Sequence, residues 1–138
     1  TIDRFTFPFD SGTASHVGNF NNTRGRVHGN NSSTHGYVYG GYDGGSFRST
    51  IDRITFPFDS GTASHVGNLS TVNDYNSNNN SSTHGYTCGG LDGSNRLSTI
   101  DRITFPFNSG TASHVGNLSG GRYYLSATDG CDFVTQFI

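Results

Sequence analysis

The sequence predicts an all-β protein assembled from repeated units of short antiparallel strands. Two observations carry that expectation. The first is composition: among 138 residues there is no Lys, Glu, Met or Trp, and Ala and Leu are scarce, so the strong helix formers are nearly missing. Gly, Thr, Ser, Asn, Phe and Tyr take their place, a mixture suited to short strands and tight turns. The second is a repeat. TIDRITFPFDSGTASHVGNL at Thr50–Leu69 occurs also as TIDRFTFPFDSGTASHVGNF at Thr1–Phe20 and as TIDRITFPFNSGTASHVGNL at Thr99–Leu118, with starts 49 residues apart. Between them, SSTHGYVYGG at Ser32–Gly41 returns as SSTHGYTCGG at Ser81–Gly90. A fixed period of this size marks an architecture in which each unit buries its apolar face against its neighbours. The chain reads as one repeat domain, 1–138, with units of approximately 1–49, 50–98 and 99–138.

The elements follow in order within the middle unit. Ser81–Gly90 is a short strand running into the Gly89-Gly90 pair, where a glycine allows a bulge or a close backbone approach. Leu91–Ser98 contains Asp92-Gly93, a hairpin-turn signal. Thr99–Phe105 is a strand with Asp101, Ile103 and Phe105 on one face and Ile100, Arg102 and Thr104 on the other. Pro106 cannot donate to a ladder and ends it, and Asn108-Ser109-Gly110 turns the chain. Thr111–Leu118 is a third strand. The Asn-rich Ser70–Asn80 reads as a surface loop, and a fourth strand is placed at Gly121–Leu125, with a weaker counterpart at Thr23–His28. Three to four antiparallel strands in each period match one blade of a β-propeller. The C-terminal strand, with Phe133, Val134, Phe137 and Ile138, stops where Thr1 would continue the repeat, which fits a blade shared by the two ends. Three units could instead form a pseudo-threefold β-trefoil-like body.

Charge and composition exclude several classes. A net charge of −2 with eight scattered Arg gives no basic stripe, so no nucleic-acid partner is expected. No run approaches the roughly 18–20 apolar residues that span a bilayer, so no membrane insertion is expected. The chain starts within a repeat and without Met, which reads as processing or as an excerpt of a longer protein.

The order of strand, Gly-Gly, hairpin, strand ending in an aromatic and short strand ending in leucine resembles the kelch repeat. The residues that carry the resemblance are Thr34–Gly41 with Thr50–Phe58 and Leu69, and Thr83–Gly90 with Thr99–Phe107 and Leu118. The tryptophan usual late in a kelch blade is missing, and His65 or His114 stands near its place. Over nearly the whole length the chain is similar to the kelch-like repeats of phage and other aquatic viral proteins. That likeness implies β-propeller-type blades and a structural or adhesive module of an extracellular fibre, filament or virion appendage. It also implies contact with surface glycans. Because each repeat exposes a face matching its neighbour, self-association into an oligomer or filament is expected as well.

Candidate sites follow from the residues. Tyr37, Tyr39 and Tyr42 near Asp43, and Tyr86 near Asp92, offer aromatic faces beside carboxylates, the pattern of a sugar site, with Tyr123 and Tyr124 near Asp129 as a third set. Tyrosines packing between units are the competing use. A soluble carbohydrate-binding lectin with one site per repeat is therefore the alternative function. Asn21, Asn30, Asn31, Asn68, Asn79, Asn80 and Asn117 head N-x-S/T sequons that a secreted glycoprotein could glycosylate. Cys88 and Cys131 either form one bridge or sit as separate buried thiols. His16, His65 and His114 recur at one repeat position and His35 and His84 at another, without a carboxylate or thiol at ligand spacing, so no metal and no cofactor is expected. The recurring Asp3-Arg4, Asp52-Arg53 and Asp101-Arg102 point to a salt bridge between repeats or a turn-capping hydrogen bond. The acidic groups repeat uniformly and no nucleophile–base pair stands out, so no enzyme activity is expected.

Overall fold

The computed structural model describes residues 1–127 and 134–136. Among them there is no helix, and every strand pairing is antiparallel. β1 (Ile2–Arg4) and β2 (Ser15–Gly18) form a two-stranded sheet. β3 (His28–Asn31), β4 (His35–Tyr39), β5 (Thr50–Thr55) and β6 (Ser64–Asn68) form a four-stranded meander in that order. β7 (Ser77–Asn80), β8 (His84–Cys88), β9 (Thr99–Thr104) and β10 (Ser113–Asn117) repeat it. β11 (Leu125–Ala127) and β12 (Val134–Gln136) make a second two-stranded sheet. No sheet closes on itself among the described residues, and β12 and β1 belong to different sheets.

The local chemistry follows the sequence period. In β9, buried Asp101 and Ile103 alternate with less buried Ile100 and Arg102, the two faces a pleated strand presents. The turn after β8 is held by Asp92, whose Oδ1 accepts the amides of Ser94 at 3.0 Å and Asn95 at 2.7 Å. Asp43 does the same for Gly45 and Ser46 in the preceding unit. These are Asx turns, in which a short carboxylate replaces a backbone acceptor. Each of the strands β5 and β9 ends at a threonine before its Phe-Pro dipeptide, where the missing N–H stops the ladder.

One expectation is corrected. The segments around Asn30–Asn31 and Asn79–Asn80 are not surface loops but the strands β3 and β7, the first of each meander. The fourth strand thus lies downstream of Thr23–His28 and Gly121–Leu125, overlapping them only at His28 and Leu125. β3 packs against β7, and β7 against β11. Asparagine is a poor strand former by propensity, but here its amides pair across the units. Asn30 Nδ2 donates to the Asn79 carbonyl at 3.1 Å, and Tyr39 Oη donates to Asn30 Oδ1 at 2.6 Å.

The core lies between the two meanders. Tyr37, Tyr39, Ile51, Val66 and Leu69 of one meet Ile103 and Ala112 of the other, with Phe105 and Phe107 packed alongside. Tyr37, only 1% exposed, stacks on Phe105 at 5.2 Å between centroids, and its Oη accepts the Phe107 amide at 2.9 Å.

Candidate functional site

Successive units dock through one seam, made twice. Strand β2 presents Val17-Gly18-Asn19 to the turn after β5: the Asn19 amide donates to the Gly61 carbonyl at 3.0 Å, and the Ala63 amide donates back to Asn19 at 2.9 Å. Strand β6 presents Val66-Gly67-Asn68 to the turn after β9 in the same way, at 3.0 Å to Gly110 and 2.8 Å from Ala112. Glycine is required at the middle position. A Cβ on Gly18 or Gly67 would collide with the carbonyl oxygen of Gly61 or Gly110, and would lie 2.9 Å from the ring of Phe58 or Phe107.

Charges run along the seam. Arg4 pairs with Asp59, and Arg53 donates to Asn108, each reaching from one unit to the turn of the next. Arg24 and Asp52, both with side chains 1% exposed, form a buried pair at 3.0 Å. In the following unit Asn73 stands where Arg24 stood, and Asp101 instead accepts the amide and hydroxyl of Ser70, each at 2.7 Å. The recurring Asp-Arg dipeptides are therefore used between repeats, as their alternation on a strand requires.

On the side of the third unit, the described residues leave a cleft of about 480 Å³ at the seam. Tyr86, Cys88, Ile100, Leu118 and Arg122 line it. Tyr86 is the counterpart of Tyr37 but is only half-buried. Burial pushes the Cys88 thiol up to about 11. The cleft thus offers one aromatic face, an apolar floor and a guanidinium, a set that can hold a flat ring and bond one polar edge of it.

The expected site residues separate. Tyr37 and Tyr39 are core residues without an open face, and burial raises the Tyr39 hydroxyl far above its usual range. Tyr42 sits under the Arg26 guanidinium, 5.1 Å from its centroid, and its hydroxyl donates to the Gly44 carbonyl. Asp43 is occupied by its own turn and by Arg48, and the two backbone amides lead in holding its carboxyl down to about 2. Asp92 is likewise held low by its turn amides. Tyr86 opens onto the cleft of about 480 Å³, and Asp43 lines a smaller one of about 280 Å³ with Arg24 and Arg48.

Of the sequon asparagines, Asn21, Asn31 and Asn117 are exposed, Asn68, Asn79 and Asn80 half-buried, and Asn30 buried at 8% with its amide bonded. Cys88 is buried, while Cys131, Asp129, Phe133, Phe137 and Ile138 lie outside the described residues. The recurring histidines stand beside polar side chains. His16, His65 and His114 face Asp3, Asp52 and Asp101 at 3.3, 3.6 and 3.8 Å. His35 and His84 Nδ1 lie 2.8 Å from the hydroxyls of Thr34 and Thr83.

Two features escaped the sequence reading. One is a column at a single repeat position, Arg26, Tyr75 and Tyr124, each with φ between 53° and 58°. The Arg26 guanidinium lies 4.9 Å from the Tyr75 ring centroid, and Tyr75 meets Tyr124 at 4.2 Å. The 49-residue spacing could have revealed it, since 26, 75 and 124 are one phase. The other is the set of exposed Phe5, Phe7 and Phe9 in the first unit, whose counterparts in the third are covered. No protein-family model matches the chain, and no curated protein matches it.

Proposed function

We propose that the chain is a structural or adhesive repeat module of an extracellular fibre, filament or virion appendage. In this reading the four-stranded meanders are kelch-like blades of a β-propeller type, and the protein is no enzyme. The observation that carries it is the seam: two junctions in one chain use the same bonds at the same repeat positions. A chain built this way extends by adding identical units, each held to the last by main-chain bonds, an interdigitated glycine and inter-unit charges. The repeated carboxylates fit structural work, because Asp43 and Asp92 hold turns, Asp59 and Asp52 pair with arginines, and Asp101 accepts from Ser70. A carbohydrate-binding lectin is the second reading, favoured by Tyr86 in its open cleft beside Arg122.

Chromatography of the 138-residue chain on a panel of immobilised sugars separates the two. The structural module runs through every column. Retention that free sugar reverses, and that Tyr86→Ala abolishes, would overturn it in favour of the lectin.

A further inference from the structure

The seam made twice inside the chain is left half-made at each end of the described fold. On the third unit Val115 is 44% exposed, whereas Val17 and Val66 are buried. A Cβ on Gly116 would meet nothing within 4 Å, although its counterparts Gly18 and Gly67 each have a carbonyl pressed against them. On the first unit Phe7 is 82% exposed, while its counterpart Phe105 stacks on Tyr37. Lacking a partner, Phe5, Phe7 and Phe9 lie on one another, with centroids 5.1 and 4.9 Å apart.

The two open faces match in charge and in strand order. Arg4 and Arg53 each reach a turn residue 55 positions on. The same step from Arg102 leads to the place that Asp10 holds in a first unit. Arg122 holds the place of Arg24, and Asp3 that of Asp52, the buried pair. Neither Arg102 nor Asp10 has an ion-pair partner among the described residues. In the 49-residue phase β12 occupies the place of β4 and β8, and β1 the place of β5 and β9, which pair with them. One end has the first two strands of a meander and the other has the last two.

We propose that a second copy of this chain docks head to tail on the third unit, its β1–β2 hairpin completing the sheet begun by β11–β12. The proposal takes the structural reading above as its premise and names the partner. In the complex, Phe7 of the second copy stacks on Tyr86, and its Phe9 covers Gly116 and donates its amide to Tyr86 Oη. The Asn117 amide donates to the second copy's Gly12 carbonyl and the second copy's Ala14 amide donates back, while Arg102 pairs with Asp10 and Arg122 with Asp3. The aromatic turn fills the cleft beside Cys88 and Leu118. The two faces differ, so the contact is heterologous and either closes a ring or runs on. Two copies supply six blades, within the four to eight at which propellers close.

Sedimentation of the 138-residue chain between about 1 and 100 µM tests this, a range that brackets micromolar dissociation constants. The expected particle is at least twice the 14.8 kDa of one chain. Gly116→Ala keeps the wild-type circular dichroism, because its methyl meets nothing within 4 Å among the described residues. It raises the dissociation constant about tenfold or more, because the methyl overpacks the docked turn. Asp10→Arg, which sets two arginines face to face, also weakens association about tenfold, and Asp10→Arg with Arg102→Asp recovers it. If Gly116→Ala fails to fold, that charge exchange decides. A chain that stays at 14.8 kDa throughout overturns the proposal, and so does an assembly indifferent to both substitutions. Either result leaves the structural reading standing, since that fails only through reversible sugar retention.

Discussion

The seam glycine at position 67 yields the sharpest test of the fold. Gly67→Ala places a methyl group against the Gly110 carbonyl and 2.9 Å from the Phe107 ring. The carbonyl is backbone and cannot rotate away, so the whole turn Phe107–Gly110 must move. Overpacking of this kind costs about 1–3 kcal/mol. Moving the turn also stretches the two main-chain bonds through Asn68, at 3.0 and 2.8 Å, each contributing about 0.5–1.5 kcal/mol. The total is about 2–6 kcal/mol, a large share of the roughly 5–15 kcal/mol by which domains are stable. Equilibrium urea unfolding measures it, with Gly116→Ala as the control at the same repeat position, followed at a concentration where the chain is monomeric. The reasoning is refuted if Gly67→Ala unfolds within about 0.5 kcal/mol of the wild type, the size of an ordinary surface substitution.

Other outcomes follow from the charges. Arg24→Ala strands Asp52 in a buried site and should cost about 3–5 kcal/mol by the same unfolding assay, whereas Arg48→Ala, at an exposed pair, should cost no more than about 1. The Asp43 carboxyl should titrate near about 2 rather than its ordinary 3.8, read from carbon chemical shifts against pH. Because its folded value is depressed, the stability it contributes is whole above pH 3.8 and is lost as pH falls through about 2. Asp43→Asn should remove that acid-side loss.

Much of the fold is legible in the sequence because the period is so regular. The strands β5 and β9 stand where alternation of Ile with Asp and Arg predicts them, and the Asp92 turn where Asp-Gly predicts it. The first strand of each meander was misplaced for a physical reason. Asn30 and Asn79 look like loop residues by propensity, but both pair in the ladder with the next strand, and the Asn30 amide is satisfied by the Asn79 carbonyl 49 residues away. The site was legible in part. Tyr86 was named, yet grouped with Tyr37 and Tyr39, because the three share a motif and differ only in what lies beside them. Exposure here depends on a unit's place in the array, which its own residues do not encode. For that reason Phe7 is 82% exposed while Phe105, nearly identical in context, is partly buried against Tyr37.

The near-identity of the two seams also bears on how the chain finds its fold. A turn reading Phe-Pro-Phe would fit any of the strands reading Val-Gly-Asn, so during folding each has several acceptable but wrong hosts, on the same chain or on another. Misassembly between like modules is a characteristic failure of repeat proteins. The few departures from identity then serve as addresses. Asn108 in place of Asp59 gives Arg53 an amide at the second junction where Arg4 meets a carboxylate at the first, and Asn73 in place of Arg24 removes a cation that would otherwise compete for the wrong carboxylate. Changing Asn108 to Asp and Asn73 to Arg would make the junctions more alike and leave the native one no easier to tell from its rivals.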